Sequence, residues 1–113
     1  MKKKIIGLTE KIKIIGKNAS KTVVARIDTG ATRSSIDAKL AARLLLGPVV
    51  KTTLVKSAHG NRVRPVIRVH LIIAGKEMRE EFTIADREHM RYDALIGRNV
   101  LRNTSILIDP RRR

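Results

Sequence analysis

The stretch Thr22-Val23-Val24-Ala25-Arg26-Ile27-Asp28-Thr29-Gly30-Ala31 begins as an apolar strand and stops abruptly at an acid. Val23, Val24, Ala25 and Ile27 suit extended backbone, and alternation puts Arg26 on the face opposite Ile27. Gly30 lets the chain turn tightly and bring amide N–H groups toward the carboxylate, while the Thr29 hydroxyl can tie the loop down. Taken alone, Asp28-Thr29-Gly30 reads first as an ordinary strand-ending turn. The rest of the chain decides between that reading and a functional one.

Upstream, Lys4-Ile5-Ile6-Gly7 and Lys11-Ile12-Lys13-Ile14-Ile15 predict two short strands, followed by a turn over Gly16-Lys17-Asn18-Ala19-Ser20. Downstream, Ser34-Ser35-Ile36 leads to Asp37, a helix N-cap candidate, and Leu40, Ala41, Leu44 and Leu45 form one apolar helical face before Gly47-Pro48. Val49 to Ala85 predicts three consecutive antiparallel strands, with turns at Ala58-His59-Gly60-Asn61 and Ala74-Gly75-Lys76. Ala94-Leu95-Ile96 is a short buried strand stopped by Gly97, Arg98 to Arg102 one helical turn, and Ser105 to Ile108 a last strand. Seven or eight strands with one helix predict an all-β barrel or sandwich, with too few helices for a parallel α/β fold.

The chain has 113 residues, enough for one domain over 1–113 and too few for two. It has no cysteine, which excludes disulfides and thiolate chemistry and makes an intracellular, cytoplasmic home the simplest reading. No apolar run approaches a membrane span, and Lys2-Lys3-Lys4 leads only into Ile5 and Ile6, too short for a signal-peptide core. Twenty-five basic residues against ten acidic ones give +15, so anionic partners are expected. Only Phe82 and Tyr92 are aromatic, so the usual base-stacking platform is missing and RNA or ribosome contact would be weak. A solubilising or heat-adapted composition explains the charge slightly better.

Sixty-nine residues after Asp28 comes Gly97, in the run Ala94-Leu95-Ile96-Gly97-Arg98-Asn99-Val100-Leu101. Together with Ala25 to Ala31, this run resembles the paired signatures of retropepsin-like aspartic proteases, the family of the small dimeric retroviral enzymes. The first run resembles that family's catalytic loop. The second resembles the apolar-apolar-glycine segment and short helix packed beneath it. From Lys11 to Pro110 the chain also resembles a bacterial and archaeal branch named for ATP-dependent zinc proteases, often associated with ligases that add glutamate to a ribosomal protein. Ile27-Asp28-Thr29-Gly30-Ala31, Phe82-Thr83-Ile84-Ala85-Asp86-Arg87 and Leu107-Ile108-Asp109-Pro110 carry that likeness. The branch name does not suit these residues. There is no H-E-x-x-H pair, His59, His70 and His89 fit no usual zinc cage, and no Gly-Lys-Ser or Gly-Lys-Thr loop offers to hold ATP. The expectation is no metal and no cofactor.

The resemblance implies a retropepsin-like closed barrel with one short helix and a flap hairpin, acting as an aspartic endopeptidase. Asp28 would be catalytic, with Thr29 and Gly30 shaping its loop and Ala31 lining the cleft. Only one Asp-Thr-Gly is present, and neither Asp93 nor Asp109 is set in such a turn, so the second acid would come from another copy in a homodimer. Ala58, His59, Gly60 and Asn61 would form the flap tip, with Ile96, Gly97 and Arg98 supporting the loop. Lys51, Lys56, Arg62 and Arg64 make the flap basic, which suits an acidic peptide or protein substrate. The retroviral pattern pairs the arginine of a glycine triplet, here Gly97-Arg98-Asn99, with an acid after the catalytic loop. Here Thr32 and Arg33 follow, leaving Asp93, Asp109 or a carboxylate of a second subunit as candidate partners of Arg98. Two rival readings are a non-catalytic module binding acidic peptide or ribosomal RNA and a metal-dependent hydrolase.

Overall fold

The computed structural model describes residues 3–58 and 60–113. Its elements follow in the order β1 (Lys4–Ile6), β2 (Thr9–Ile15), β3 (Ser20–Ile27), β4 (Ser34–Asp37), α1 (Ala38–Arg43), β5 (Val49–Ser57), β6 (Gly60–Ile73), β7 (Lys76–Ala85), β8 (Ala94–Ile96), α2 (Arg98–Leu101) and β9 (Ile106–Ile108). The described residues therefore hold nine strands and two short helices, one or two strands and one helix more than the sequence pattern predicts.

Strand alternation builds the core. Ile12 and Ile14 of β2, Ala25 and Ile27 of β3, and Ile67, Val69, Leu71 and Ile73 of β6 are buried, whereas Lys11, Lys13, Val24, Arg26 and Arg68 face outward. Strands pair in the order β2-β3-β8-β4-β7-β6, and β2 returns to pair with β6, closing a six-stranded barrel. Fully buried Phe82 on β7, opposite Ile67, fills its middle. Most pairings are antiparallel, but β3 runs parallel to β8 and β4 parallel to β7. This is the all-β, retropepsin-like closed barrel expected above. Apart from it, β1 and β9 form a parallel two-stranded sheet with Ile5 opposite Leu107, both about half exposed.

β6 serves two purposes along its length. From Val66 onward it pairs with β7 and belongs to the barrel, whereas Gly60 to Pro65 pairs only with β5. The result is a two-stranded arm projecting from the barrel. Gly60 and Asn61 are the first residues of β6 rather than part of the turn, and Gly60 has a φ of 113°, a conformation that favours glycine. Ala58 is at the tip, and His59 lies outside the described residues.

The N-cap reading holds for α1. Asp37 Oδ2 accepts from the N–H groups of Lys39 at 3.1 Å and Leu40 at 3.4 Å, and its Oδ1 accepts from the Arg87 N–H at 2.9 Å. Leu45 departs from the predicted apolar face. The helix stops at Arg43, the chain takes a positive φ of 54° at Leu45, and its side chain is left 49% exposed. Because Asp37 both caps α1 and satisfies a buried amide, Asp37→Ala is expected to cost about 2–4 kcal/mol, from a lost cap and an orphaned donor. Asp37→Asn, which keeps an acceptor oxygen, should cost clearly less. Urea unfolding midpoints of the three proteins provide the check.

Candidate active site

Asp28 follows the last residue of β3, where the strand leaves the barrel. Its amide donates to the Ile96 carbonyl at 2.9 Å, continuing the β3–β8 ladder for one more bond, and its carbonyl accepts from the Ala31 N–H at 3.2 Å. The Gly30 N–H donates to Oδ1 at 3.0 Å. Backbone on one side and an amide on the other thus fix the carboxylate, which is half-buried, while Thr29 and Gly30 are exposed.

The support beneath this loop is a polar network. The Gly97 N–H donates to Ser34 Oγ at 2.9 Å, and Ser34 gives both its hydroxyl, at 2.8 Å, and its amide, at 3.1 Å, to Asn99 Oδ1. Asn99 Nδ2 reaches the Glu81 carbonyl on β7 at 2.8 Å, and the Arg98 amide donates to the Ala31 carbonyl at 2.8 Å. Ser34 is fully buried, so each of these bonds replaces water that cannot enter. Gly97 fits because it lacks a side chain: a Cβ there would stand 2.5 Å from the Arg33 carbonyl oxygen and 2.9 Å from that of Ala31.

Arg98 does not pair with Asp93 or Asp109. Its guanidinium donates to Thr32 Oγ1 at 3.0 Å and to the Thr29 carbonyl at 3.4 Å, and the residue is exposed. A hydroxyl and a carbonyl take the place of an acid, and exposure removes the penalty of a buried unpaired cation.

A cleft of about 540 Å³ lies between this loop and the projecting arm, lined by Ala31, Thr32, Arg33, Leu54, Val55 and Lys56 among others. Ala31 lines this cleft, Asp28 is not among its lining residues, and two of its walls carry cations, Arg33 and Lys56. Of the basic arm residues, Lys51 is already engaged, 3.1 Å from Glu81 Oε1. Arg62 stands opposite Val55 and shares its face of the arm.

Three supporting residues escaped the sequence reading as site components: Ser34, Asn99 and Arg87. Asn99 was visible only as the third member of the glycine triplet. Arg87 is 7% exposed and donates to the Tyr92 carbonyl at 2.9 Å and to Ser35 Oγ at 3.0 Å, tying the 86–93 loop to β4. Burial pushes its guanidinium below the usual arginine value, and the Asp37 and Asp93 carboxylates partly restore it. The run Phe82 to Arg87 carries part of the family likeness, but its composition does not show that this arginine is buried.

Among the described residues, no group of three or more His, Asp or Glu side chains could hold a metal ion. No described helix is long and apolar enough to cross a membrane.

A family model described as RimB-like, retropepsin-like aspartic endopeptidase RimB, matches residues 39–113. The chain belongs to the RimB-like family. The matched span holds the Gly97 segment and the projecting arm but begins after the Asp28 loop. Solved structures similar to this RimB-like chain include a Legionella pneumophila protein of unknown function, with a TM-score of 0.67 and 22% identity over 96% of this chain and 95% of that one. EIAV protease complexed with the inhibitor HBY-793 has a TM-score of 0.68 and 21% identity over 84% of this chain and 85% of the viral one. Simian foamy virus protease has a TM-score of 0.57 and 19% identity over 79% and 86%. These likenesses establish the fold. No curated protein matches the chain.

Proposed function

We propose that this RimB-like chain is a homodimeric aspartic endopeptidase in which the Asp28 carboxylates of two copies activate one water. The observation that carries this reading is the fixed Asp28 carboxylate, bonded by the Gly30 amide at 3.0 Å at the end of β3. One such acid is half of the required pair. Two carboxylates a hydrogen bond apart cannot both ionise cheaply, so they share a proton. The ionised member takes a proton from water as its oxygen bonds to the scissile carbonyl carbon, and the protonated member gives its proton to the carbonyl oxygen. The roles then reverse. The nitrogen gains a proton as the C–N bond breaks, releasing an amine and a carboxylic acid.

An extended peptide would lie between the 28–33 loop and the β5–β6 arm, where backbone N–H groups of β5 can meet its main chain. Arg33 and Lys56 in the cleft wall favour acidic side chains on that peptide. The half-exposed Ile5 and Leu107 of the β1–β9 sheet supply apolar surface for pairing copies.

Peptide cleavage followed by mass spectrometry across a dilution series tests both halves of the reading. Activity per chain should fall as the dimer dissociates, roughly in proportion to concentration at high dilution, and should be indifferent to a chelator. Absence of cleavage, dilution-independent turnover by a monomer, or loss to a chelator with rescue by zinc would each overturn it.

A further inference from the structure

The end of the barrel away from Asp28 carries cations that peptide hydrolysis does not use. A depression of about 390 Å³ there is lined by Gly16, Lys17, Leu45, Arg68, His70 and Arg79, among others. β3 runs between the two places, with Ser20 beside the turn that holds Lys17 and Asp28 past its other end, roughly 25 Å away at strand spacing. The turn is pinned in place. The Gly16 N–H donates to the Ala19 carbonyl at 2.8 Å, the Lys17 N–H donates to the Leu44 carbonyl at 3.3 Å, and a Cβ on Gly16 would stand 2.2 Å from that same Leu44 oxygen.

The pairing register continues this depression onto the outer face of the barrel. Lys13 stands opposite Ile72 and Ile15 opposite His70, while His70 in turn faces Arg79 and Arg68 faces Glu81. Of the two acids on this face, Glu81 is paired with Lys51 and Glu77 contacts the His70 ring. Among the described residues, Lys13, Lys17, Arg68 and Arg79 have no carboxylate within ion-pair distance. The Arg68 guanidinium instead approaches the Arg79 carbonyl at 3.4 Å, which holds it along the rim.

We propose that this face, centred on Lys17, Arg68 and Arg79, binds the phosphodiester backbone of a nucleic acid strand. Evenly spaced full negative charges complement a row of unneutralised cations on a rigid sheet. The aromatic residues lie elsewhere, Phe82 being buried in the core and Tyr92 in the 86–93 loop, so the face contacts phosphates without stacking bases. Binding is therefore sequence-tolerant and strongly salt-dependent.

The test is fluorescence anisotropy of the full chain with a labelled 20-nucleotide single strand, as RNA and as DNA, between about 50 and 200 mM salt. Wild-type protein is expected to bind, with RNA and DNA arms identifying which strand it prefers. The combined Lys17→Gln, Arg68→Gln and Arg79→Gln variant should bind at least about tenfold more weakly at 50 mM salt. Its log–log salt slope should flatten by about 2, three contacts at about 0.7 each. A control carrying Lys4→Gln, Arg102→Gln and Arg111→Gln, which loses the same charge elsewhere, should keep most of the affinity. In wild-type protein, backbone amide shifts on titration should cluster at 15–17, 45–47, 68–70 and 79, a readout independent of how the variants fold. Equal loss in both variants, shifts concentrated at the 28–33 loop, or binding of anionic phosphatidylserine vesicles in preference to either strand would overturn the proposal.

Discussion

Asp28→Asn is expected to reduce peptide hydrolysis by about 10²–10⁴-fold, with dimer formation and melting temperature nearly unchanged. The substitution keeps the side chain's shape and an oxygen able to accept from the Gly30 N–H, the bond that measures 3.0 Å to Oδ1. It removes only the capacity to exchange a proton with water. A mixture of wild-type and Asp28→Asn protein makes the expectation sharper. With random exchange of subunits in equal amounts, only wild-type pairs retain both acids, so activity should fall to about a quarter of that of the same total wild-type chain. A simple dilution effect on independent monomers would leave half. Mixed-subunit kinetics after overnight exchange distinguish the two, and retention of half the activity would mean that each chain carries a complete site.

Much of the barrel could be read from the chain because its signals are local. Ile12 and Ile14 alternate with lysines, Gly75 takes a positive φ between β6 and β7, and Asp37 precedes the apolar face of α1 at capping distance. What stayed hidden is long-range. β4 and β8 are four and three residues long, and their parallel partners β7 and β3 are set by how the sheet closes. The sequence predicts β8 at Ala94-Leu95-Ile96 but not β4, and no period-2 pattern can choose the neighbour of so short a strand. The same holds for the site. Asp28-Thr29-Gly30 and the Gly97 segment were legible as a pair of motifs, but the bond from Gly97 to Ser34 joins residues 63 apart. Ser34 and Arg87 look like surface residues by composition, and only the closed barrel makes them interior. Arg98 illustrates the remaining limit, since its partner Thr32 has no charge to mark it in the sequence.

Gly97→Ala should be the most damaging single change in the described support of the loop, lowering stability by about 3 kcal/mol and the melting temperature by about 10 °C or more. Its backbone is not the reason. With φ of −98° and ψ of −174°, position 97 is extended, a conformation open to any residue. The obstacle is space: a Cβ would lie 2.5 Å from the Arg33 carbonyl oxygen, 2.7 Å from its carbon and 2.9 Å from the Ala31 oxygen. All three are backbone atoms, so no side chain can swing aside. The loop or α2 must move instead. Moving the loop stretches the Arg98 to Ala31 amide bond of 2.8 Å, and moving α2 breaks the 2.9 Å bond to Ser34. Either shift reaches Asp28, whose own amide is bonded to Ile96, the residue just before Gly97. Under the proposed dimeric mechanism, activity should therefore fall further than the folded fraction does, because two acids required to meet within a hydrogen bond tolerate little displacement. Thermal unfolding alongside peptide cleavage at a temperature where the variant remains folded separates the effects. A variant melting within about 2 °C of wild type would show that the loop is not held in the way these contacts describe.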